Sequence, residues 1–216
     1  MAEAALRAGR DPSEVQLVAV SKTVPVPRIR EAIESGVTIL GENRVQEARG
    51  KIAELEGLAR WHLVGHLQTN KAKLAVRLFN LIHSLDSLRL ARELDQCGRA
   101  LGKPVEVLVQ VKLSEEETKS GLVEDEVLPL LLTLKNLPSV RVKGLMVFPP
   151  YFPDPEAVRP YFRRLRELRD RLWEEALPEN VKLDHLSMGM SHDFEAAIEE
   201  GATLVRIGTA IFGPRL

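Results

Sequence analysis

The stretch LDHLSMGMSHDFEAAIEEGATLVRIGTAIFG, residues 183–213, decides the fold. It begins with a short apolar run at 183–187 and ends with a second one at 203–207, which glycine follows. Between them, the amphipathic segment 192–200 predicts a helix that Gly201 closes. Two strands that flank one helix in so short a span are typical of a βαβ unit with parallel strands.

The same alternation of strand and helix extends back to the start of the chain. Apolar runs bounded by turn residues predict eight strands, at 15–20, 37–40, 61–64, 81–85, 105–111, 142–147, 183–187 and 203–207. Amphipathic segments predict helices at 27–35, 44–56, 88–101, 124–136, 155–176 and 192–200. Eight such units in 216 residues predict an α/β protein in which residues 1–216 form a single (β/α)₈ TIM-type barrel domain.

A doubly wound open sheet is the alternative that this alternation allows. The barrel is preferred because the strand count reaches eight, no Pro-, Gly- or Ser-rich linker divides the chain, and no GxGxxG motif follows the first strand. In such a barrel, functional groups lie at the carboxyl ends of the strands, and a phosphate most often binds after strands seven and eight.

Composition and charge exclude several classes of protein. The 30 Lys and Arg against 31 Asp and Glu give a net charge of −1, which leaves no basic surplus for a nucleic-acid backbone. No apolar run approaches the roughly 20 residues of a membrane helix, and the first residues do not form a secretory signal. The single cysteine, Cys97, cannot form an internal disulfide. We therefore expect a cytoplasmic protein that binds neither nucleic acid nor membrane.

Lys22 follows the first predicted strand, in the stretch AVSKT, at the mouth of the barrel. The simpler interpretation is a rim lysine whose stem lies on apolar surface while its ammonium stays in water. The alternative is a partly desolvated amine that attacks an aldehyde and forms a Schiff base. Position alone favours the simpler interpretation.

Two segments after the last two strands could hold a phosphate. Ser191 is the predicted N-cap of a helix, and Gly189 would allow an anion close to the exposed N–H groups. Gly208 and Thr209 can offer backbone N–H groups and a hydroxyl where a short helix begins. Asp193, in the first turn of the earlier helix, argues against a phosphate there unless its side chain turns outward.

Two polar residues stand among the apolar strands. Arg206 lies inside TLVRI, and because an unpaired buried guanidinium is costly, it needs a partner. That partner is either a bound ligand or a barrel carboxylate such as Asp184 or Glu42. Asn43, after the second strand, could face a ligand or simply cap the helix that follows.

The histidines do not predict a metal site. His62 and His66 have the spacing of zinc ligands on a helix, but their segment predicts a strand and a loop, without a third ligand nearby in sequence. His83, His185 and His192 are scattered singly.

The motifs named above carry a family resemblance. LVAVSKT, GENRVQEA, WHLVGHLQTNK, GLM, LSMGMSHD and VRIGTAIFG occur in this order across nearly the whole chain, which resembles the pyridoxal phosphate homeostasis protein family. The resemblance implies a fold-type III barrel similar to the N-terminal domain of alanine racemase. It also implies pyridoxal 5′-phosphate (PLP) bound as an internal aldimine.

The family's motifs assign roles to six residues of this chain. Lys22 would form the Schiff base, Ser191, Gly208 and Thr209 would hold the phosphate, Arg206 would face the pyridine nitrogen, and Asn43 would line the cofactor pocket. Family members usually have a longer N-terminal helix, so we expect the barrel floor to be less well covered here.

The same residues argue against catalysis. Arg206 has no acceptor and cannot share a proton with the pyridine nitrogen as a carboxylate would, so the ring would be a poor electron sink. A two-base racemase also needs an acid or base on the face opposite the lysine, which alanine racemase takes as a tyrosine from a second domain. This chain ends nine residues after Ile207, and its only tyrosines, Tyr151 and Tyr161, follow the sixth strand.

We therefore expect a monomeric, non-enzymatic protein that stores, buffers or delivers PLP, with PLP-dependent apoenzymes as recipients. Two alternatives stay open. One is a weak PLP-dependent amino-acid racemase or related enzyme. The other is a barrel that binds a sugar phosphate through the same anion site and leaves Lys22 idle.

Overall fold

The computed structural model describes residues 1–114 and 120–214, within which eight strands alternate with nine α-helices. The strands are β1 (Gln16–Val20), β2 (Ile39–Glu42), β3 (Arg60–Leu63), β4 (Leu81–Leu85), β5 (Val105–Val111), β6 (Val140–Val147), β7 (Val181–Met190) and β8 (Leu204–Ile207). The helices are α1 (Ala2–Arg7), α2 (Val26–Glu34), α3 (Val45–Glu54), α4 (Ala72–Leu78), α5 (Leu88–Leu101), α6 (Glu124–Thr133), α7 (Arg159–Trp173), α8 (Phe194–Glu199) and α9 (Thr209–Phe212).

The strands form one closed parallel barrel in sequence order, β1 to β8. β8 returns to β1, with Leu204 beside Gln16 and Ile207 beside Ala19. This closure confirms the predicted TIM barrel and excludes the open sheet, since an open sheet would leave two edge strands.

The alternation of side chains along each strand builds two apolar layers. One set lies inside the barrel and forms a single cluster of Val18, Ile39, Val64, Leu81, Leu108, Met146 and Leu204. The other set, which includes Ala19, Leu40 and Val107, packs outward against the helices. Full burial of one such Val or Leu side chain stabilises the fold by about 1.5–3 kcal/mol.

Helix α5 shows how local sequence sets an outer element. The Ser87 hydroxyl accepts a hydrogen bond from the Leu90 N–H at the amino end (3.2 Å), and Gly102, with φ of 64°, closes the carboxyl end. Leu90 and Leu94, one turn apart, are buried against the barrel. The bounds of this helix and the glycine behind it were predicted.

Several predicted boundaries differ from the observed ones, and two of the differences change the role of a residue. β2 begins at Ile39 rather than at residue 37, because the Val37 N–H closes α2 by donating to the Ala32 carbonyl (3.0 Å). β7 continues to Met190, and α8 begins only at Phe194, so Ser191 is not its N-cap. Helices α1 and α4 were not predicted, and the ends of 124–136 and 155–176 form 3₁₀ turns, at Leu134–Asn136 and Pro155–Val158.

Within the described ranges, none of the helices has both the length and the apolar character needed to cross a membrane.

Candidate functional site

A cavity of about 230 Å³ opens at the carboxyl ends of the strands. Its lining is formed by Val20, Lys22, Asn43, Val64, Phe148, Met190, Ser191, His192, Arg206, Gly208 and Thr209. All six residues singled out in the sequence therefore meet in one cavity. A second cleft of about 170 Å³ lies between α2 and α9 and shares Lys22, Gly208 and Thr209 with the first.

Ser191 lies opposite the start of α9 rather than at the start of α8. Its Oγ accepts hydrogen bonds from the N–H of Gly208 (3.2 Å) and the N–H of Ala210 (3.4 Å). These N–H groups lack carbonyl partners because they precede the first helical hydrogen bonds. Together with the Thr209 hydroxyl they form a cradle of donors, which suits an anion.

Asp193 does not oppose an anion in that cradle. It is buried, its Oδ1 accepts a hydrogen bond from the Met190 N–H (2.6 Å), and it is not part of the cavity lining. Burial raises the pKa of Asp193, although the Met190 N–H and the charge of Arg206 act in the opposite direction. The carboxylate therefore turns onto backbone and away from the cavity.

Arg206 is 3% exposed, and its contacts differ from the ion pair considered in the sequence. It donates to Ser187 Oγ (2.6 Å) and to the Val147 carbonyl (2.8 Å), and its guanidinium carbon lies 4.5 Å from the Phe148 ring centroid. Asp184 is an exposed residue of β7, and Glu42 pairs with Lys51. The predicted carboxylate partners are therefore wrong.

Arg206 keeps its positive charge although it is buried. Desolvation lowers its pKa to about 10, while the charge of Asp193 acts to raise it, so the guanidinium stays cationic at neutral pH. Its Nε–H has no hydrogen-bond partner among the described residues. A cation that lines a cavity with one donor unsatisfied fits a ligand that brings an acceptor.

Two histidines continue the polar contacts of Arg206 into the barrel. Ser187 Oγ lies 2.9 Å from His83 Nδ1, and His83 Nε2 lies 3.0 Å from His62 Nδ1. The histidines are thus not all scattered singly, as the sequence had indicated. Burial lowers the pKa of His62 to about 3 and holds that of His83 well below its usual value, so both rings are neutral at pH 7.

Among the described residues, no group of three or more His, Cys, Asp and Glu side chains is arranged to hold a metal ion. His62 and His83 contact each other, and the further contact of His83 is with a serine hydroxyl, that of Ser187.

Asn43 lines the cavity and does not cap α3, whose N-cap is Arg44, so the capping alternative is wrong. Its backbone lies directly against Gly65, where a Cβ would come within 2.3 Å of the Asn43 carbonyl oxygen. Glycine at 65 is therefore required for the loops after β2 and β3 to meet beneath the cavity.

Neither tyrosine lines the cavity. Tyr151 is 75% exposed and stacks on His192 with ring centroids 5.6 Å apart, while Tyr161 packs against Phe152. His192, which does line the cavity, was not singled out in the sequence. Phe148 also lines the cavity and was not singled out, although its position directly after β6 could have indicated it.

The site therefore combines an amine, a buried guanidinium and a cradle of N–H donors around a small cavity with apolar walls. Such a set can bind a flat, phosphorylated molecule and offer the amine to an electrophilic carbon of that molecule.

Comparisons with known proteins agree with this geometry. The chain matches the family model described as alanine racemase, N-terminal domain, over residues 4–215. It is 50% identical over 210 residues to the pyridoxal phosphate homeostasis protein of Aquifex aeolicus, covering 97% of this chain and 91% of that protein. It is 42% identical over 216 residues to that of Escherichia coli, covering 98% and 91%.

Solved structures are similar to this chain as well. PipY of Synechococcus elongatus, in a structure with PLP bound, is 42% identical, with a TM-score of 0.86 and coverage of 98% of both chains. Alanine racemase of Streptomyces coelicolor is 22% identical with a TM-score of 0.73, and the match covers 99% of this chain and 56% of that one. The racemase therefore shares the fold.

Proposed function

Because the chain belongs to the pyridoxal phosphate homeostasis protein family, we propose that it binds PLP in this cavity and stores, buffers or delivers it without catalytic turnover. The observation that carries the proposal is the meeting of Lys22, Arg206 and the Ser191–Gly208 cradle around one cavity. PipY, the relative with PLP bound, supports the choice of cofactor.

The phosphate would be held by the cradle. The N–H groups of Gly208 and Ala210 and the hydroxyls of Ser191 and Thr209 supply donors at the position that TIM barrels most often use for phosphate. A Cβ on Gly208 would lie 3.3 Å from the Val20 carbonyl oxygen, so glycine avoids a tight contact with β1 at this position.

Arg206 would face the ring nitrogen. Its unsatisfied Nε–H is a donor, and a cation beside this nitrogen disfavours its protonation. PLP stabilises a carbanion on a bound substrate most strongly when its ring nitrogen is protonated. Arg206 therefore suppresses that chemistry and favours holding the cofactor over using it.

Lys22 would hold the cofactor covalently. Its Nζ would form a C=N bond with the aldehyde carbon, and the aldehyde oxygen would leave as water. Asn43 would line the pocket beside it. This bond would keep the aldehyde from reacting with stray amines until another amine displaces Lys22.

The carrier function is tested by loading the protein with PLP and presenting it to an apoenzyme that needs the cofactor. We expect the protein to gain visible absorbance, to yield no new product from L-amino acids, and to restore activity to the apoenzyme. A protein that gains no visible absorbance with PLP but binds sugar phosphates would support the sugar-phosphate barrel instead.

A weak racemase is the second candidate, and His192 is the observation that favours it. The imidazole lies in the cavity lining and could exchange a proton with a bound amino acid. Incubation of the loaded protein with L-alanine, followed by chiral analysis, separates the two functions. Turnover that His192→Gln abolishes would support the racemase, and no turnover above that of free PLP would support the carrier.

A further inference from the structure

A buried charged cluster lies beneath the turn that carries Lys22. We call it the Lys51 cluster, and it consists of Lys51 on α3 with Glu42 and Glu47. Lys51 Nζ donates to Glu42 Oε1 (2.8 Å), to Glu47 Oε1 (2.7 Å) and to the Ser21 carbonyl (2.7 Å). An ammonium has three N–H donors, so all of them are used in this cluster.

The cluster contacts the backbone on both sides of Lys22. Before it, the Ser21 carbonyl accepts from Lys51, and the Ser21 hydroxyl donates to Glu42 Oε1 (2.6 Å). After it, the Thr23 N–H donates to Glu47 Oε1 (2.5 Å). The two peptide groups that flank Lys22 are therefore joined through Lys51 and its two carboxylates.

The turn held in this way is strained. Thr23 has φ of 64°, in the left-handed region, and it is the only described non-glycine residue with positive φ. A β-branched side chain strongly disfavours this conformation. Strain of this kind persists only where the surrounding contacts determine the backbone, and the Glu47–Thr23 hydrogen bond is such a contact.

The cluster is also costly to bury. Glu42 is fully buried, and its Oε2 has no partner among the described residues. Burial raises the pKa of Glu42, whereas the hydrogen bonds from Lys51 and Ser21 act to lower it. Apolar residues of similar volume would often be at least as stable at such a position, so stability alone does not account for the cluster.

We propose that Lys51 is a positioning residue, which fixes the backbone turn from which Lys22 reaches the cavity and thereby speeds the capture of PLP. The proposal rests on the proposed covalent binding at Lys22. It also assigns different tasks to the two lysines, since Lys51 uses all its donors within the protein while Lys22 lines the cavity.

The test measures the rate at which PLP is captured by Lys51→Met, from the growth of visible absorbance after mixing. Without the Lys51 ammonium, Glu47 is no longer held and Thr23 relaxes to negative φ, so we expect capture about ten-fold slower. Lys73→Met removes an exposed lysine from α4 and should capture PLP at the wild-type rate.

The decisive variant adds Thr23→Gly to Lys51→Met. Glycine adopts positive φ without steric cost, so the double variant should recover several-fold of the lost rate. Recovery would not occur if Lys51→Met merely loosened the protein, since a flexible glycine would loosen it further. If Lys51→Met does not fold, the same comparison is made with Glu42→Gln added, which removes the unpaired buried charge.

The outcomes separate this inference from the function it rests on. If wild type captures PLP and Lys51→Met captures it equally fast, or if Thr23→Gly restores nothing, the positioning role is wrong and the carrier proposal is untouched. If wild type forms no bond through Lys22 at all, the proposed function itself fails.

Discussion

At the residue scale, the Ser191 hydroxyl joins the segment after β7 to the start of α9. It accepts from two N–H groups that a phosphate could also use, so the hydroxyl and the bound anion would share one cradle. In the loaded protein the hydroxyl would rotate and donate to the phosphate, since a hydroxyl can both donate and accept.

Ser191→Ala isolates the phosphate contact. A hydrogen bond to a charged group contributes about 1.5–3 kcal/mol, so the affinity for PLP should fall by about ten-fold or more. Pyridoxal, which lacks the phosphate, should bind the variant and wild type equally. Equal affinity of both proteins for PLP, measured by titration of the visible absorbance, would contradict the role of Ser191.

Five of the six candidate residues could be named from the sequence because they follow a strand, where a barrel exposes its functional groups, and Arg206 because it is a charged residue inside the apolar strand β8. The residues that support them could not be named in this way. Lys51 reaches Ser21 across 30 positions of sequence, and His83 reaches Ser187 across 104. Such contacts depend on side-chain reach between elements, which a local pattern does not contain.

Among the helices and strands, the strand count was sufficient to predict the barrel, and the errors are two short helices that were not predicted, α1 and α4, and the ends of other elements. Val37 was assigned to a strand by its apolar character, yet its N–H closes the preceding helix. Ser191 has the residue type of an N-cap. Because β7 extends to Met190, however, its side chain lies at the start of α9 and not at the start of α8. Competition between neighbouring elements for the same backbone groups decides such ends.

The pair of His62 on β3 and His83 on β4 makes stability depend on pH. Each ring is neutral when folded at neutral pH and protonates near pH 6.5 when unfolded, so the unfolded state binds more protons below pH 6.5, for His62 down to about pH 3. The stabilisation is complete above pH 6.5 and is lost as the pH falls toward the folded-state pKa.

Each buried histidine should remove up to about 1.4 kcal/mol of unfolding free energy per pH unit in this window. Denaturant titrations of the cofactor-free protein from pH 7 to about pH 5 would measure the slope. His62→Gln should remove the contribution of one buried histidine from this slope. Equal slopes in the wild type and in His62→Gln would contradict this assignment.

At the scale of the whole molecule, an ionic network joins the first helix to the last helices of the barrel. Arg7 on α1 contacts Glu199 on α8 (2.9 Å), and Glu199 in turn contacts Arg159 on α7 (2.7 Å). Glu200, buried at the end of α8, accepts from Arg163 (2.9 Å) and lies 3.2 Å from Arg166. The network ties the start of the chain to the side of the barrel that ends in β8.

Glu200→Gln removes the buried carboxylate at the centre of this network, so that Arg163 and Arg166 lose a negatively charged partner. Loss of one partner of a buried ion pair costs about 3–5 kcal/mol, and because the arginines are partly exposed, we expect about 2 kcal/mol here. Glu195→Gln, at the exposed edge, should cost much less. Equal losses of unfolding free energy in the two variants would show that burial does not set the contribution.

The central claim is that Lys22 holds PLP by a covalent bond in the cavity at the carboxyl ends of the strands. It is tested most directly by reducing the PLP-loaded protein with borohydride and locating the added mass by peptide mapping. We expect one cofactor per chain, on Lys22, and none on the Lys22→Ala variant. A modified Lys51 or any other lysine in place of Lys22, or no added mass on wild type, would contradict it.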